Sequence, residues 1–236
     1  HDFGTRSTNE IEKDLLKFSK ERKMELILPC LYSELEGTAL PKIVEEISKT
    51  KYLDHIIVGL DRANENQAKK AWKFFKKLRS PFSILWNDGP GLKSLDKELK
   101  KKDLAPNELG KGRNVWYCLG MSIARDTARS VALHDCDIKT YDRRMLAKLF
   151  YPVVNPLFNF EFCKGYYPRV ANNKMNGRVA RLLVFPLLTA LEKTIGKSDY
   201  LEFMKSFKYP LAGEFSFRRN VLPELRISSD WGIEVG

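Results

Sequence analysis

Histidine is scarce in this chain: His1, His55 and His134 are the only three in 236 residues. Any metal site therefore has few imidazoles to draw on. The four cysteines, Cys30, Cys118, Cys136 and Cys163, form no C-x-x-C pair, which argues against structural zinc. They sit among apolar or strand-like neighbours, so reduced, buried thiols in a cytoplasmic protein are expected. No stretch approaches the roughly 18 apolar residues of a membrane span. The start, His1-Asp2-Phe3-Gly4-Thr5, does not read as a secretory signal. Internal repeats, low-complexity segments, an RNP motif and the spacing of a P-loop are all missing.

What is present suits one α/β domain. The chain is 43% hydrophobic, enough for a sizeable core. Its formal net charge of +11 suggests an anionic partner. The basic residues are spread over helix faces, such as Lys69-Lys70, Lys73 and Lys76-Lys77, rather than gathered in one arm. Nucleic acid and small phosphorylated substrates are both candidates, and many of these charges read as solvated surface.

The hydropathy pattern predicts helices and strands in alternation. A charged helix over residues 10–22 precedes a strand at Met24 to Pro29 and an amphipathic helix carrying Leu40, Ile43, Val44 and Ile47. A second strand, His55 to Leu60, a lysine-rich helix from Asn64 to Arg79, and a third strand, Phe82 to Trp86, follow. This order implies a parallel sheet covered by helices. The pattern breaks between Asn87 and Gly112, read as an insertion that is functional or disordered. A helix from Asn114 to Arg125 then feeds the strand Ser130 to His134. Beyond residue 140, strands are expected at Glu161–Val170 and around Gly213–Phe217, strand or helix at Met175–Phe185, and helices at Asp142–Phe150 and Leu187–Ile195. Residues 1–140 thus read as a nucleotide-binding-type half and residues 141–236 as a second half of different pattern. The sequence stops at Asp230 to Gly236 with no closing helix, so a longer natural protein is expected.

Asp135-Cys136-Asp137 is the motif richest in chemistry. A D-x-D at the tip of a buried strand sets two carboxylates where open α/β sheets bind ligands. Their mutual repulsion is relieved by a divalent cation that also holds substrate phosphates, so Mg²⁺ or Mn²⁺ is the expected cofactor. The plainer alternative is a strand-end turn with solvated aspartates. Gly110-Lys111-Gly112-Arg113-Asn114 opens a helix, where glycines, backbone N–H groups and Lys111 suit a diphosphate; a flexible linker is the alternative. Asp61, closing the second strand, could accept from a base or ribose, or cap the next helix. Pro29 and Glu34 share that pocket by position. Gly177-Arg178-Val179-Ala180-Arg181 offers two guanidiniums for a phosphorylated acid, or simply an exposed basic face. Glu234 sits in a glycine-rich turn that could hold an acceptor hydroxyl. His55 and His134 read as packed rather than catalytic.

Taken as a set, Leu28 to Glu34, Gly110 to Asn114, Leu133 to Asp137, Glu161 to Tyr167, Asn176 to Val179, Leu211 to Phe215 and Asp230 to Gly236 resemble glucosyl-3-phosphoglycerate synthases and the related mannosyl- and glucosylglycerate-forming transferases. The resemblance implies a type-A glycosyltransferase fold, with a Rossmann-like, mostly parallel sheet flanked by helices. It implies transfer of glucose, with retention, from a nucleotide diphosphate donor to the 2-hydroxyl of 3-phosphoglycerate, in a homodimer. Pro29, Glu34, Asp61, Lys111 and Asp135 match nucleotide-sugar-binding positions, and Asp135 and Asp137 the metal motif, with Asp137 catalytic. Gly177, Arg178, Ala180 and Gly213 match acceptor-binding positions; Ala180 replaces a threonine of some members. Glu234 matches a catalytic carboxylate near the acceptor, and the family's metal-binding histidine lies beyond it. Other readings are a mannosyl donor, free glycerate as acceptor, a nucleotidyltransferase, and a basic nucleic-acid-binding module.

Overall fold

The computed structural model describes residues 4–166, 170–171, 174–175, 178–224 and 227–228. Helix α1 (Thr8–Phe18) opens with a capping box between Ser7 and Glu10 and buries Ile11 and Leu15. Strand β1 (Met24–Leu31) leads through a 3-10 turn (Tyr32–Glu36) into α2 (Ala39–Ser48). Strand β2 (Leu53–Asp61), helix α3 (Glu65–Phe75) and strand β3 (Phe82–Trp86) follow. Next come α4 (Pro90–Lys100), α5 (Lys111–Arg125), β4 (Ser130–Leu133) and α6 (Arg143–Val154). The remaining elements are β5 (Phe162–Lys164), the short pair β6 (Val170–Ala171) and β7 (Lys174–Met175), a π-helical turn (Ala180–Val184), α7 (Phe185–Ile195), α8 (Asp199–Ser206) and β8 (Phe215–Arg218).

The main sheet runs β3-β2-β1-β4-β8-β5. The first four strands are parallel, and β8 enters antiparallel between β4 and β5. Strand order reverses direction between β1 and β4, the point at which such sheets open a crevice at their C-terminal edge. Both faces are covered. Alternate residues of β1 divide between two apolar clusters, with Leu26, Leu28 and Cys30 facing α1, α2 and α6, and Ile27 facing α5. Each fully buried leucine or isoleucine here contributes about 1.5–3 kcal/mol. Helix α5 approaches β2 closely enough that a Cβ at Gly59 would overlap Asn114 Oδ1 at 1.8 Å. Asn114 Nδ2 donates to the Gly59 carbonyl at 2.8 Å, which fixes the start of α5 against the sheet.

Several expectations change. The segment read as an unpatterned insertion contains α4. Gly89 stands at its N-cap and Pro90 at its first turn, where a missing N–H costs nothing. Helix α8 was not anticipated; within the strand expected at Glu161–Val170, β5 and Val170 of β6 are strand, and residues 167–169 lie outside the described residues. The ambiguous stretch from Met175 resolves to the end of β7, followed by helix. Both β5 and β8 extend the sheet begun by the first half. Among the described residues no helix is long and apolar enough to cross a membrane. All four cysteines are free thiols.

Candidate donor and metal site

A cleft of about 500 Å³ opens at the C-terminal edge of the sheet, at the β1/β4 switch. Strand β1 and its 3-10 turn supply Pro29, Cys30 and Glu34. The tips of β2 and β3 supply Asp61, Arg62 and Asp88. The N-terminus of α5 contributes Gly110, Lys111, Arg113 and Asn114, and the loop after β4 contributes Asp135, Cys136 and Asp137. Gly110 at the α5 N-cap makes no side-chain cap hydrogen bond, and the positive end of this helix borders the cleft.

Lys111 Nζ lies 2.5 Å from Asp135 Oδ1, with both side chains largely buried. The β4–β8 register explains what lies behind this pair. Leu133 faces Phe215, so two residues further along Asp135 comes opposite Gly213. A Cβ at Gly213 would sit 2.5 Å from Asp135 Oδ2 and 2.9 Å from Lys111 Nζ. Gly213 is therefore the floor under the ion pair.

Five carboxylates (Glu34, Asp61, Asp88, Asp135, Asp137) line the cleft against three cations (Arg62, Lys111, Arg113). In a chain of net charge +11, this local acidity invites a cation. The Glu34 carboxyl is raised from its usual range by burial and then by the charge of Asp137. Burial also raises Asp61, and Asp88 adds to the shift; the Arg62 N–H and the charge of Arg113 oppose it. Among the described residues no three metal-ligating side chains converge. The protein's own share would be Asp135 and Asp137, with phosphate oxygens and water completing an oxygen shell suited to Mg²⁺ or Mn²⁺.

The structure brings together Pro29, Glu34, Asp61, Lys111, Asp135 and Asp137 in this one cleft, with Gly213 beneath it. Asp61 does not cap α3. That task falls to Asn64, whose side chain accepts from the Gln67 N–H, while Asp61 Oδ1 accepts from the N–H of Arg62 at 3.0 Å. Arg178 is exposed at the start of the π-helical segment, Ala180 is buried, and neither lines the cleft. Gly177 and Glu234 lie outside the described residues. His134 is fully buried, packed edge-on against Tyr141 at 5.4 Å, and held neutral by burial with its pKa lowered to about 3. His55 is buried against Ser83, its Nε2 2.9 Å from the hydroxyl. Sequence reasoning passed over Arg62 and Asp88. Their signal was position alone: Arg62 lies one residue and Asp88 two residues past the tip of a parallel strand, as Asp135 lies two past β4.

The six-stranded, mostly parallel sheet flanked by helices matches the glycosyltransferase fold of solved glucosyl-3-phosphoglycerate synthases. A crystal structure of glucosyl-3-phosphoglycerate synthase from Mycobacterium tuberculosis, in complex with Mn²⁺, uridine diphosphate and glucosyl-3-phosphoglycerate, superposes with a TM-score of 0.64 at 20% identity. It covers 98% of this chain and 67% of that one. By sequence, the chain is 45% identical over 233 residues to glucosyl-3-phosphoglycerate synthase of Persephonella marina, covering 99% of this chain. It is 36% identical over 239 residues to the synthase of Methanococcoides burtonii, covering 100% of this chain. It spans 58% of the length of each of these curated relatives. No protein-family model matches it.

Proposed function

We propose that the protein is a metal-dependent, retaining glucosyltransferase that moves glucose from a nucleoside diphosphate donor to the 2-hydroxyl of 3-phosphoglycerate; its curated relatives are named glucosyl-3-phosphoglycerate synthase. The observation that carries this reading is the placement of Asp135 and Asp137 in one cleft with Lys111 and the N-terminus of α5. Residues 1–140 take the donor and residues 141–236 the acceptor. Pro29, Glu34 and Asp61 hold the nucleoside portion. Lys111 and the α5 N–H groups hold the diphosphate, the first as a point charge and the second as fixed dipoles. Asp135 and Asp137 hold Mg²⁺ or Mn²⁺, which as a Lewis acid offsets charge on the departing diphosphate. Arg178, with the backbone at Gly177 and Ala180, grips the acceptor's phosphate and carboxylate, and Glu234 orients its hydroxyl.

Retention without a committed carboxylate nucleophile calls for attack on the face the diphosphate leaves, with the diphosphate accepting the hydroxyl proton. A covalent glycosyl adduct trapped on Glu214 or Glu234 would overturn that step.

The protein works in the cytoplasm, consistent with its four free thiols. It acts as a homodimer, the state that the resemblance implies.

The test is direct. The protein is incubated with UDP-, GDP- or ADP-glucose, or their mannose counterparts, and Mg²⁺, with and without 3-phosphoglycerate or glycerate. Release of nucleoside diphosphate only when 3-phosphoglycerate is present supports the reading. Pyrophosphate release would point to nucleotidyl transfer, and tight, salt-sensitive RNA binding without turnover would point to a nucleic-acid module.

A further inference from the structure

Asp96 belongs to α4, the helix that sequence patterning left unread. It is 7% exposed and gathers three partners. Arg113 Nη2 donates to its Oδ1 at 3.0 Å, the Tyr117 hydroxyl donates to the same oxygen, and Lys100 Nζ lies 2.9 Å from Oδ2. Burial pushes the Asp96 carboxyl up, but these three hydrogen bonds together bring it down to about 2. The Arg113 guanidinium also lies over the Tyr117 ring, 5.1 Å from its centroid. The result is an arginine with 10% side-chain exposure, fixed by a carboxylate on one side and a ring face on another.

Such a buried ion pair is a poor device for stability, since an apolar pair of similar volume commonly does as well. Its value lies in where it leaves Arg113. That residue lines the cleft beside Asp61 and Asp88, and its charge acts on the Asp61 carboxyl. The sheet order separates this end from the D-x-D loop. Strand β2 stands two places from β4, and β3 three. At nearly 5 Å per strand this is roughly 10–15 Å. A nucleoside diphosphate with its phosphates at Asp135 and Asp137 reaches across that distance with its ribose and base.

We propose that Arg113 is a nucleoside-contacting residue of the cleft and that Asp96, from α4, is the positioning residue that aims it. The proposal rests on the nucleotide-sugar reading above and adds to it the residues that read the base-and-ribose end. Asp96 takes one of several N–H donors of a planar guanidinium, and the fork suits ring or carbonyl acceptors and ribose hydroxyls. Helix α4 thereby has a task in donor recognition rather than serving as a spacer.

Calorimetric titration of UDP and of inorganic pyrophosphate into the wild type, Asp96→Asn and Arg113→Met tests it, with a thermal melt of each protein. The expected result is UDP affinity weakened about tenfold in both variants, the size of one lost charge-assisted hydrogen bond. Pyrophosphate affinity should stay within about twofold. Arg113→Met leaves Asp96 with Tyr117 and Lys100, so it keeps the test open if Asp96→Asn fails to fold. UDP binding the wild type and a folded variant equally, or equal losses for UDP and pyrophosphate, would overturn the proposal. Failure of UDP to bind the wild type would instead remove the nucleotide-sugar reading beneath it.

Discussion

Replacing Gly213 with alanine should damage the site and spare the fold. Gly213 is not among the positive-φ residues, so its backbone accepts a side chain without strain. The new methyl meets Asp135 Oδ2 at 2.5 Å, whereas ordinary contact begins at 3.4 Å. The carboxylate must therefore retreat by 3.4 − 2.5 = 0.9 Å, and Lys111 Nζ, at 2.9 Å, must move with it. Both displaced groups are side-chain ends at a cleft rather than packed core. The stability cost should stay at or below about 1 kcal/mol, a shift of less than ~4 °C in Tm for a chain of this size. A displacement near 1 Å in a group that orients reactants costs about 100-fold in rate, or ~2.7 kcal/mol of transition-state stabilisation. The assay is nucleoside diphosphate release from UDP-glucose with 3-phosphoglycerate and Mn²⁺, paired with a thermal melt. A folded Gly213→Ala protein with wild-type kcat/KM would refute the reasoning, because the Lys111–Asp135 pair would then be free to move without consequence.

Three further outcomes are expected. Asp137→Ala should abolish turnover while leaving the melt within a few degrees; retained activity would remove the metal argument. Arg178→Ala should raise KM for 3-phosphoglycerate about tenfold or more, the loss of a charged hydrogen bond, and leave donor affinity alone. An equal loss for the donor would show that Arg178 serves another part of the site. The third concerns pH. Burial, then the nearby Arg125 charge, lowers the His55 pKa from 6.5 to about 4. The unfolded chain thus binds the proton first, and the stability His55 confers is whole above about pH 6.5 and lost as pH falls towards 4. His55→Gln should flatten the acid limb by up to about 1.4 kcal/mol per pH unit in that window, read by urea unfolding at a series of pH values. An unchanged slope would mean that His55 is protonated in the folded protein.

Much of the site was legible because its chemistry coincides with strand ends. Hydropathy located β1, β2, β3 and β4, and the residues just past their tips follow from the topology of a parallel sheet. Asp135, Asp137, Asp61, Glu34 and Pro29 were reachable in this way, and Lys111 through the Gly110-Lys111-Gly112 run at a helix start. Gly213 came from resemblance, and its physical reason appeared only with the β4–β8 register. Helix α4 was lost because Gly89-Pro90-Gly91 was read as a break. Pro90 at a first helical turn, followed by Leu92, Leu95 and Leu99 at helical spacing, was the overlooked signal. The Asp96–Arg113–Tyr117 cluster could not be read in advance, since nothing local in sequence says that α4 folds back onto α5. Arg62 holds a left-handed backbone, φ 54°, at the cleft mouth, a conformation that no residue pattern announced.

The central claim is that Asp135 and Asp137 bind a divalent cation together with the diphosphate of the donor. UDP titrated with and without Mn²⁺ into the wild type, Asp135→Ala and Asp137→Ala measures it directly. The account predicts that Mn²⁺ tightens UDP binding at least about tenfold in the wild type and that this gain disappears in both variants. An equal metal-dependent gain in all three folded proteins would contradict it.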